Sequence, residues 1–338
     1  MDSDSLNTYH AIVAGGCGLI ELPDHALIWA TGRDRLDLLH RMSTNDLTGM
    51  GANEGRTTVL TNALARIVDR LIVVNLVAVA AAPSTASDGV ASPPSTRDAA
   101  AQKVLMLGSA GMGQKIRRWL AGYIFFQDDV KFTDASTEMT QLLVFGLRAE
   151  AVAEALAPGA SALSPYHVLR QGGAIVGRGD PLGGSSFFIV VEKAAKDAWW
   201  EKALAAGAVA ATPEVYEVIR IESGRPEINR EMGEDYIPLE ANLWDEVNFS
   251  KGCYIGQEII ARMESRGKLA KRLTGWRSVG PLAPGTEFSS GTLITSAAES
   301  PRFGWIGLGY VKPAQVETGT EFEINGTRAT IAALPFTG

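Results

Sequence analysis

Apolar positions along the chain switch between a period of two and a helical period, and the switches predict its elements. "GLIELPDHALIWATG" (18–32) reads as two short strands joined at Pro23-Asp24, with Gly32 ending the second. In "RDRLDLLHRMSTNDL" (33–47), Leu36, Leu39 and Met42 recur at helical spacing with Leu38 beside them, which predicts an amphipathic helix. "RTTVLTN" (56–62) and "ARIVDRLIVVNLVAVA" (65–80) are rich in β-branched residues and fit adjacent strands. "PSTASDGVASPPSTRDAAA" (83–101) has almost nothing to bury and is expected to be a disordered insertion at a hairpin tip, because "KVLMLG" (103–108) resumes a strand. Then follow a helix over 111–121, strands over 123–134 and 141–147, and a helix over 149–157. Strands over 174–180 and 185–192 and a helix over 194–206 complete this part. Strands and helices alternate irregularly, so the pattern predicts an α+β fold and not a doubly wound parallel sheet.

"YIGQEIIARMESRG" (254–267) is a helix by its stripe of Ile255, Ile259, Ile260 and Met263. From 271 the texture changes to short strands punctuated by Gly and Pro, with Asn325-Gly326 as a hairpin turn. A small all-β, barrel-like C-terminal domain is the expectation. The chain thus divides into an α+β region (1–247), a linking segment and helix (248–270) and a C-terminal domain (271–338).

Composition narrows the function classes. With 338 residues, 46% hydrophobic, the chain can bury more than one core. A formal charge of −7 argues against a nucleic-acid coat or a membrane-surface protein, so no direct nucleic-acid contact is expected. Cys17 and Cys253 form neither a disulfide framework nor a metal knuckle, and free thiols suit a reducing compartment. The longest apolar stretch (71–83) is interrupted by Asn75 and falls short of the roughly 20 residues a membrane span needs. The first ten residues contain two acids and no Lys or Arg, unlike a signal peptide, which makes the cytoplasm the expected location. The four histidines show no zinc spacing, and "GSAGMGQK" (108–115) lacks the phosphate-loop pattern.

The chemistry concentrates in "KGCYIGQE" (251–258). Cys253 falls at or just before the first turn of the predicted helix, where unpaired N–H groups and the helix dipole favour a thiolate. Lys251 adds positive charge, and Gly252 and Gly256, without a Cβ, allow a ligand or another backbone to approach. Glu258–Arg262 and Glu264–Lys268 are i,i+4 pairs. Arg262, Arg266, Lys268, Lys271 and Arg272 place five positive charges within eleven residues. Two readings stay open: an inert cysteine packed at a helix start, or a functional thiol beside a receiver for an anion.

This motif resembles the K-G-C-Y/F-x-G-Q-E signature of the YgfZ family of folate-binding proteins. That family is related to the T-protein, the aminomethyltransferase of glycine cleavage, and to mitochondrial iron–sulfur assembly factors. Segments 39–47, 219–253, 266–273 and 291–311 resemble family segments in the same order. The resemblance implies a T-protein-like fold: a ring of three subdomains, two intertwined α+β units followed by a C-terminal β-barrel. Their central channel would bind tetrahydrofolate or a one-carbon derivative. It also implies an accessory protein for iron–sulfur cluster assembly or repair and, indirectly, for tRNA modification. Its partners would then be folate and iron–sulfur proteins or their assembly machinery. The alternative is a tetrahydrofolate-dependent aminomethyl- or methyltransferase; a third reading is a pure interaction scaffold.

The functional motif would be Lys251, Cys253, Gln257 and Glu258, with Cys253 the working thiol. For folate the expected contacts are Tyr216 on a ring face, Arg220 on a tail carboxylate, and Glu222. These three could instead form an internal ion pair and core packing. His25 aligns with an aromatic that stacks on folate in some relatives, and Trp29 is close by. The T-protein segment T-G-Y-T-G-E reads "VGRGDPLGG" (176–184) here, leaving Asp180 as its acid, and P-K-G-R reads "NALARIVDR" (62–70). Transferase chemistry needs a carboxylate beside the folate nitrogens. Asp46 and Asp69 are acids of the N-terminal unit that spacing alone does not pair.

Overall fold

The computed structural model describes residues 1–76, 102–288, 292–315, 317–324 and 327–337. The insertion expected at 83–101 and the turn at Asn325-Gly326 lie outside the described residues. In chain order the first elements are α1 (Ser3–Val13), β1 (Gly18–Glu21), β2 (His25–Thr31), α2 (Arg35–Met42), β3 (Glu54–Thr61), β4 (Ile67–Leu76), β5 (Lys103–Ala110), α3 (Gly113–Ala121) and β6 (Lys131–Asp134). Next come β7 (Met139–Gly146), α4 (Ala149–Leu156), β8 (Val168–Gln171), β9 (Ala174–Arg178), β10 (Ser185–Glu192), α5 (Lys196–Ala205), β11 (Val209–Ala210), α6 (Pro213–Glu222) and α7 (Gln257–Arg266). The chain closes with β12 (Arg272–Ser278), β13 (Glu287–Phe288), β14 (Thr292–Ser300), β15 (Gly304–Val311), β16 (Glu321–Ile324) and β17 (Thr327–Ala332).

The chain crosses between two sheets before finishing either. β1 lies in a six-stranded sheet ordered β11-β1-β7-β10-β9-β8, whereas β2 lies in a five-stranded sheet ordered β3-β4-β5-β2-β6. After β6 the chain returns to the first sheet at β7, so the two α+β units are intertwined as expected. Strands β4 and β5 are buried along most of their length, with Leu71, Val73, Val74, Val104, Leu105 and Met106 inaccessible to solvent. That burial explains their near-continuous apolar runs.

Three local features depart from the pattern. Helix α1 was not foreseen; Asp2 caps it by accepting from the Ser5 amide at 2.8 Å, and Tyr9 and Ile12 are its buried face. The strand expected over 123–134 shrinks to β6. Asp128 accepts from the Phe125 amide at 2.9 Å, folding this stretch into turns that leave Phe125 and Phe126 exposed. Helix α6 starts at a Thr212 cap with Pro213 in its first turn, two start signals present in the sequence.

The C-terminal strands form one antiparallel sheet ordered β13-β14-β15-β12-β17-β16. Among the described residues its edge strands β13 and β16 do not pair with each other, so it is an open sheet and not the closed barrel expected. Closure needs matched edges and stagger, and β13 contributes only Glu287 and Phe288, paired to β14. This sheet shares a core with the first unit, in which Leu273, Ile306, Leu308 and Tyr310 join Ile28, Leu71 and Met106. Tyr9 and Ser300 both donate to Glu222 at 2.6 Å, which fastens α1, α6 and β14 together.

Candidate functional site: a central cavity and a separate surface motif

Where the two sheets and α6 converge, they enclose a cavity of about 180 Å³. Successive residues of a strand point to opposite faces, so β4 sends Arg70 into this cavity and Asp69 away from it. Arg70 donates through Nη1 and Nη2 to both Asp180 oxygens, each at 2.8 Å, and through Nε to Glu246 at 2.8 Å. Tyr166 donates to Asp180 at 2.7 Å, and Arg225 lies 3.4 Å from the same oxygen. Burial alone would raise the Asp180 pKa, but Arg70 and Arg225 reverse this and hold it at about 2. Burial likewise opposes the charge on Arg70, and Asp180 and Glu246 overcome it, raising its pKa further. Asp180 is therefore a fixed anion and a poor base.

Two other carboxyls near the cavity behave differently. Asp69 is inaccessible to solvent and accepts from the Ser109 hydroxyl at 2.6 Å and the Ser109 amide at 2.9 Å. Burial pushes its pKa up to about 6. Ser109 itself lines the cavity, so Asp69 sits one hydroxyl behind the wall. Glu227 also lines the cavity, and burial raises its pKa against the opposing pull of Arg220 and Arg230. Asp46, by contrast, closes a surface turn with Thr48 and lies 3.1 Å from His40.

The folate contacts named from sequence divide. Tyr216 lines the cavity, with its ring edge-on to Phe145 at 6.0 Å and its phenol pushed up by burial to about 12. His25 also lines it, and burial lowers its pKa. Trp29 does not; the Lys103 ammonium covers its ring at 3.6 Å. Arg220 borders the cavity, but its guanidinium is engaged by Glu217 (2.8 and 2.9 Å), Glu231 (3.0 Å), Ser296 (2.8 Å) and the Arg225 carbonyl. It bolts α6 to the C-terminal sheet and is not the free cation that a tail carboxylate would require. Glu222 lies off the cavity, held by Tyr9 and Ser300.

None of Lys251, Cys253, Gln257 and Glu258 lines the cavity. Cys253 stands exposed in an irregular stretch, four residues before α7 begins at Gln257, so it does not occupy the first turn. Gln257 is half-buried and Glu258 exposed. Gly256 has φ +84°, and a Cβ there would lie 2.8 Å from the Ala65 Cα and 2.9 Å from the Asn62 carbonyl oxygen. This glycine therefore serves chain packing and not access to the thiol. Gly252 would meet nothing. Lys251 is buried, its ammonium bonded to three backbone carbonyls, and burial lowers its pKa to about 8. In the basic cluster Arg262, Arg266 and Lys268 are exposed, whereas Lys271 lies over the Tyr236 ring at 4.2 Å. Among the described residues no group of three His, Cys, Asp or Glu is arranged to hold a metal, and no helix is long and apolar enough to cross a membrane.

Sequence reasoning did not single out Arg70, Ser109, Tyr166, Arg225 or Glu246. One signal was available: an Asp-Arg pair in the middle of the β-branched run 65–80, where charge is costly unless paired.

No family model matches the chain. A chloroplastic protein of Arabidopsis thaliana described as a transferase is 26% identical over 331 residues, covering 94% of this chain and 69% of that protein. The aminomethyltransferase of Rubrobacter xylanophilus is 32% identical over 225 residues, 62% of this chain and 59% of that one. The aminomethyltransferase of Geobacillus kaustophilus is 25% identical, covering 98% of this chain and 90% of its own. The solved structure of glycine cleavage system aminomethyltransferase T from Bartonella henselae matches with a TM-score of 0.81 at 20% identity, over 98% of this chain and 89% of that one. The fold is that of aminomethyltransferase T.

Two outcomes follow from this geometry. A small alkylating reagent will modify Cys253 in the native protein and leave Cys17 untouched until unfolding, because Cys17 is buried and its pKa is raised by burial to about 11. Mass spectrometry of the labelled protein checks this, and equal labelling contradicts it. Asp180 has a folded pKa of about 2 against 3.8 for the free group, so its clamp stabilises fully above about pH 4 and is lost as pH falls toward 2. Urea unfolding across that window should show a shallower acid loss in Asp180→Asn than in the wild type; parallel curves contradict the clamp.

Proposed function

We propose that the chain binds a tetrahydrofolate, or a one-carbon derivative of it, in the central cavity and acts there as an aminomethyltransferase-like transferase. The observation that carries this reading is the cavity itself: an aromatic and charged pocket at the junction of two intertwined units in an aminomethyltransferase T fold. Tyr216 and Phe188 line the cavity and give it aromatic surface against which a flat pterin or aminobenzoyl group packs. Asp180, fixed by Arg70, is a ready acceptor for the N–H donors of a pterin edge. Arg225, 32% exposed beside it, replaces Arg220 as the cation for a tail carboxylate. Transfer of an aminomethyl carbon to a folate nitrogen releases an amine, and a departing amine needs a proton. Asp69, raised by burial to about 6 behind Ser109, suits that proton exchange, and burial shifts Glu227 in the same direction.

A second reading is the YgfZ-type role: folate binding without turnover, in support of iron–sulfur proteins or their assembly machinery and, through them, of tRNA modification. Two observations favour it. Arg70 neutralises the one acid that stands at the T-G-Y-T-G-E position, and Cys253 lies outside the cavity where a partner can reach it. The two free cysteines suit a reducing compartment such as the cytoplasm.

Thermal melts with tetrahydrofolate test the shared part. A ligand bound only by the native state adds about 2.7 kcal/mol at ~100 Kd, so a clear upward shift is expected. No shift at saturating ligand removes folate from both readings. Incubation with tetrahydrofolate and an aminomethyl donor then separates them: catalytic release of the amine supports the transferase, and stoichiometric binding alone supports the accessory role.

A further inference from the structure

Lys251 and the cavity are joined by a path of hydrogen bonds through one threonine. The Lys251 ammonium donates to the carbonyls of His40 (2.5 Å), Ser43 (2.7 Å) and Asn45 (2.8 Å), which engages all three of its N–H bonds. These carbonyls lie at and just beyond the C-terminal end of α2, where helix carbonyls lack partners and a cation is favoured. The segment held in this way carries Thr44. Its hydroxyl donates to the Glu246 backbone carbonyl at 2.6 Å and accepts from the Val59 amide at 3.0 Å. Its own carbonyl accepts from the Asn248 amide at 3.0 Å. Glu246 is thus gripped by its backbone, and its carboxylate receives Arg70 Nε.

We propose that Lys251 is a positioning residue for the cavity. By holding residues 43–45 it fixes Glu246, and through Glu246 it sets how Arg70 presents Asp180 to a ligand. The path gives the motif lysine a task in the cavity although none of its atoms lines the wall. It also assigns the two halves of the motif separate work: Lys251 faces inward, and Cys253 faces solvent. The affinity readout rests on the folate reading above.

Calorimetric titration of the full chain with 5-formyltetrahydrofolate tests the path. Lys251→Met keeps the stem and removes the donors, and it should weaken binding about tenfold. Thr44→Val should do the same, whereas Thr44→Ser, which keeps the hydroxyl, should bind like the wild type. The double variant Lys251→Met/Thr44→Val should bind no more weakly than the weaker single, because both cut one path. Wild-type affinity in folded Lys251→Met, or multiplied losses in the double variant, would overturn the proposal. If Lys251→Met does not fold, the contrast between Thr44→Val and Thr44→Ser decides. If the wild type binds no folate, the folate reading fails by itself, and amide hydrogen exchange reads the path instead. Faster exchange at Val59, Asn248 and the strand around Arg70 in the variants then supports it, and unchanged exchange there overturns it.

Discussion

The guanidinium of Arg70 is the interaction on which the centre of this molecule depends. It reaches from β4 of one sheet to Asp180, in the loop that leads to β10 of the other, and to Glu246 in the segment before α7. Its side chain is only 13% exposed, and those of its partners are 22% and 8% exposed. Three charges in so little water are tolerable only together, because removing one partner of a buried pair commonly costs about 3–5 kcal/mol. Arg70 therefore ties the two units at the cavity wall, and any ligand entering there meets an ion pair that is already set.

That constraint bears on the chemistry. Asp180 held at about 2 can accept hydrogen bonds but cannot take up protons near neutrality. Burial shifts two other carboxyls the opposite way, Asp69 behind Ser109 and Glu227 on the wall. The cavity thus sets a fixed anion beside carboxyls that burial makes harder to ionise. Cys253 is spatially separate from all of this.

Much of the fold was legible in the residues, and the reasons for the exceptions are physical. Helical spacing at Leu36, Leu39 and Met42, the β-branched runs of β3 and β4 and the apolar run of β5 report burial, which is local to each element. The partners of charged side chains are not local. Lys251 finds its carbonyls 206 to 211 residues away, and Arg220 finds Ser296 76 residues away. Composition marks such residues as polar but does not say whether they meet a ligand or their own chain. Arg220 consequently left two readings open, a cation for a ligand or an internal ion pair, and the structure shows the ion pair, while Arg70, in the middle of a strand, passed as structure. The glycines around Cys253 left a ligand or another backbone as the thing that approaches, and at Gly256 it is the backbone at Ala65. Barrel closure was equally out of reach, because it depends on whether the two edge strands match.

The central claim is that the cavity behind the Arg70 clamp is a folate site. A crystal of the full chain soaked in 5-formyltetrahydrofolate addresses it most directly. The account predicts ring density between Tyr216 and Phe188, the polar edge of the pterin on Asp180, and a tail carboxylate at Arg225. An unoccupied cavity at saturating ligand, or folate bound elsewhere on the protein, would contradict it.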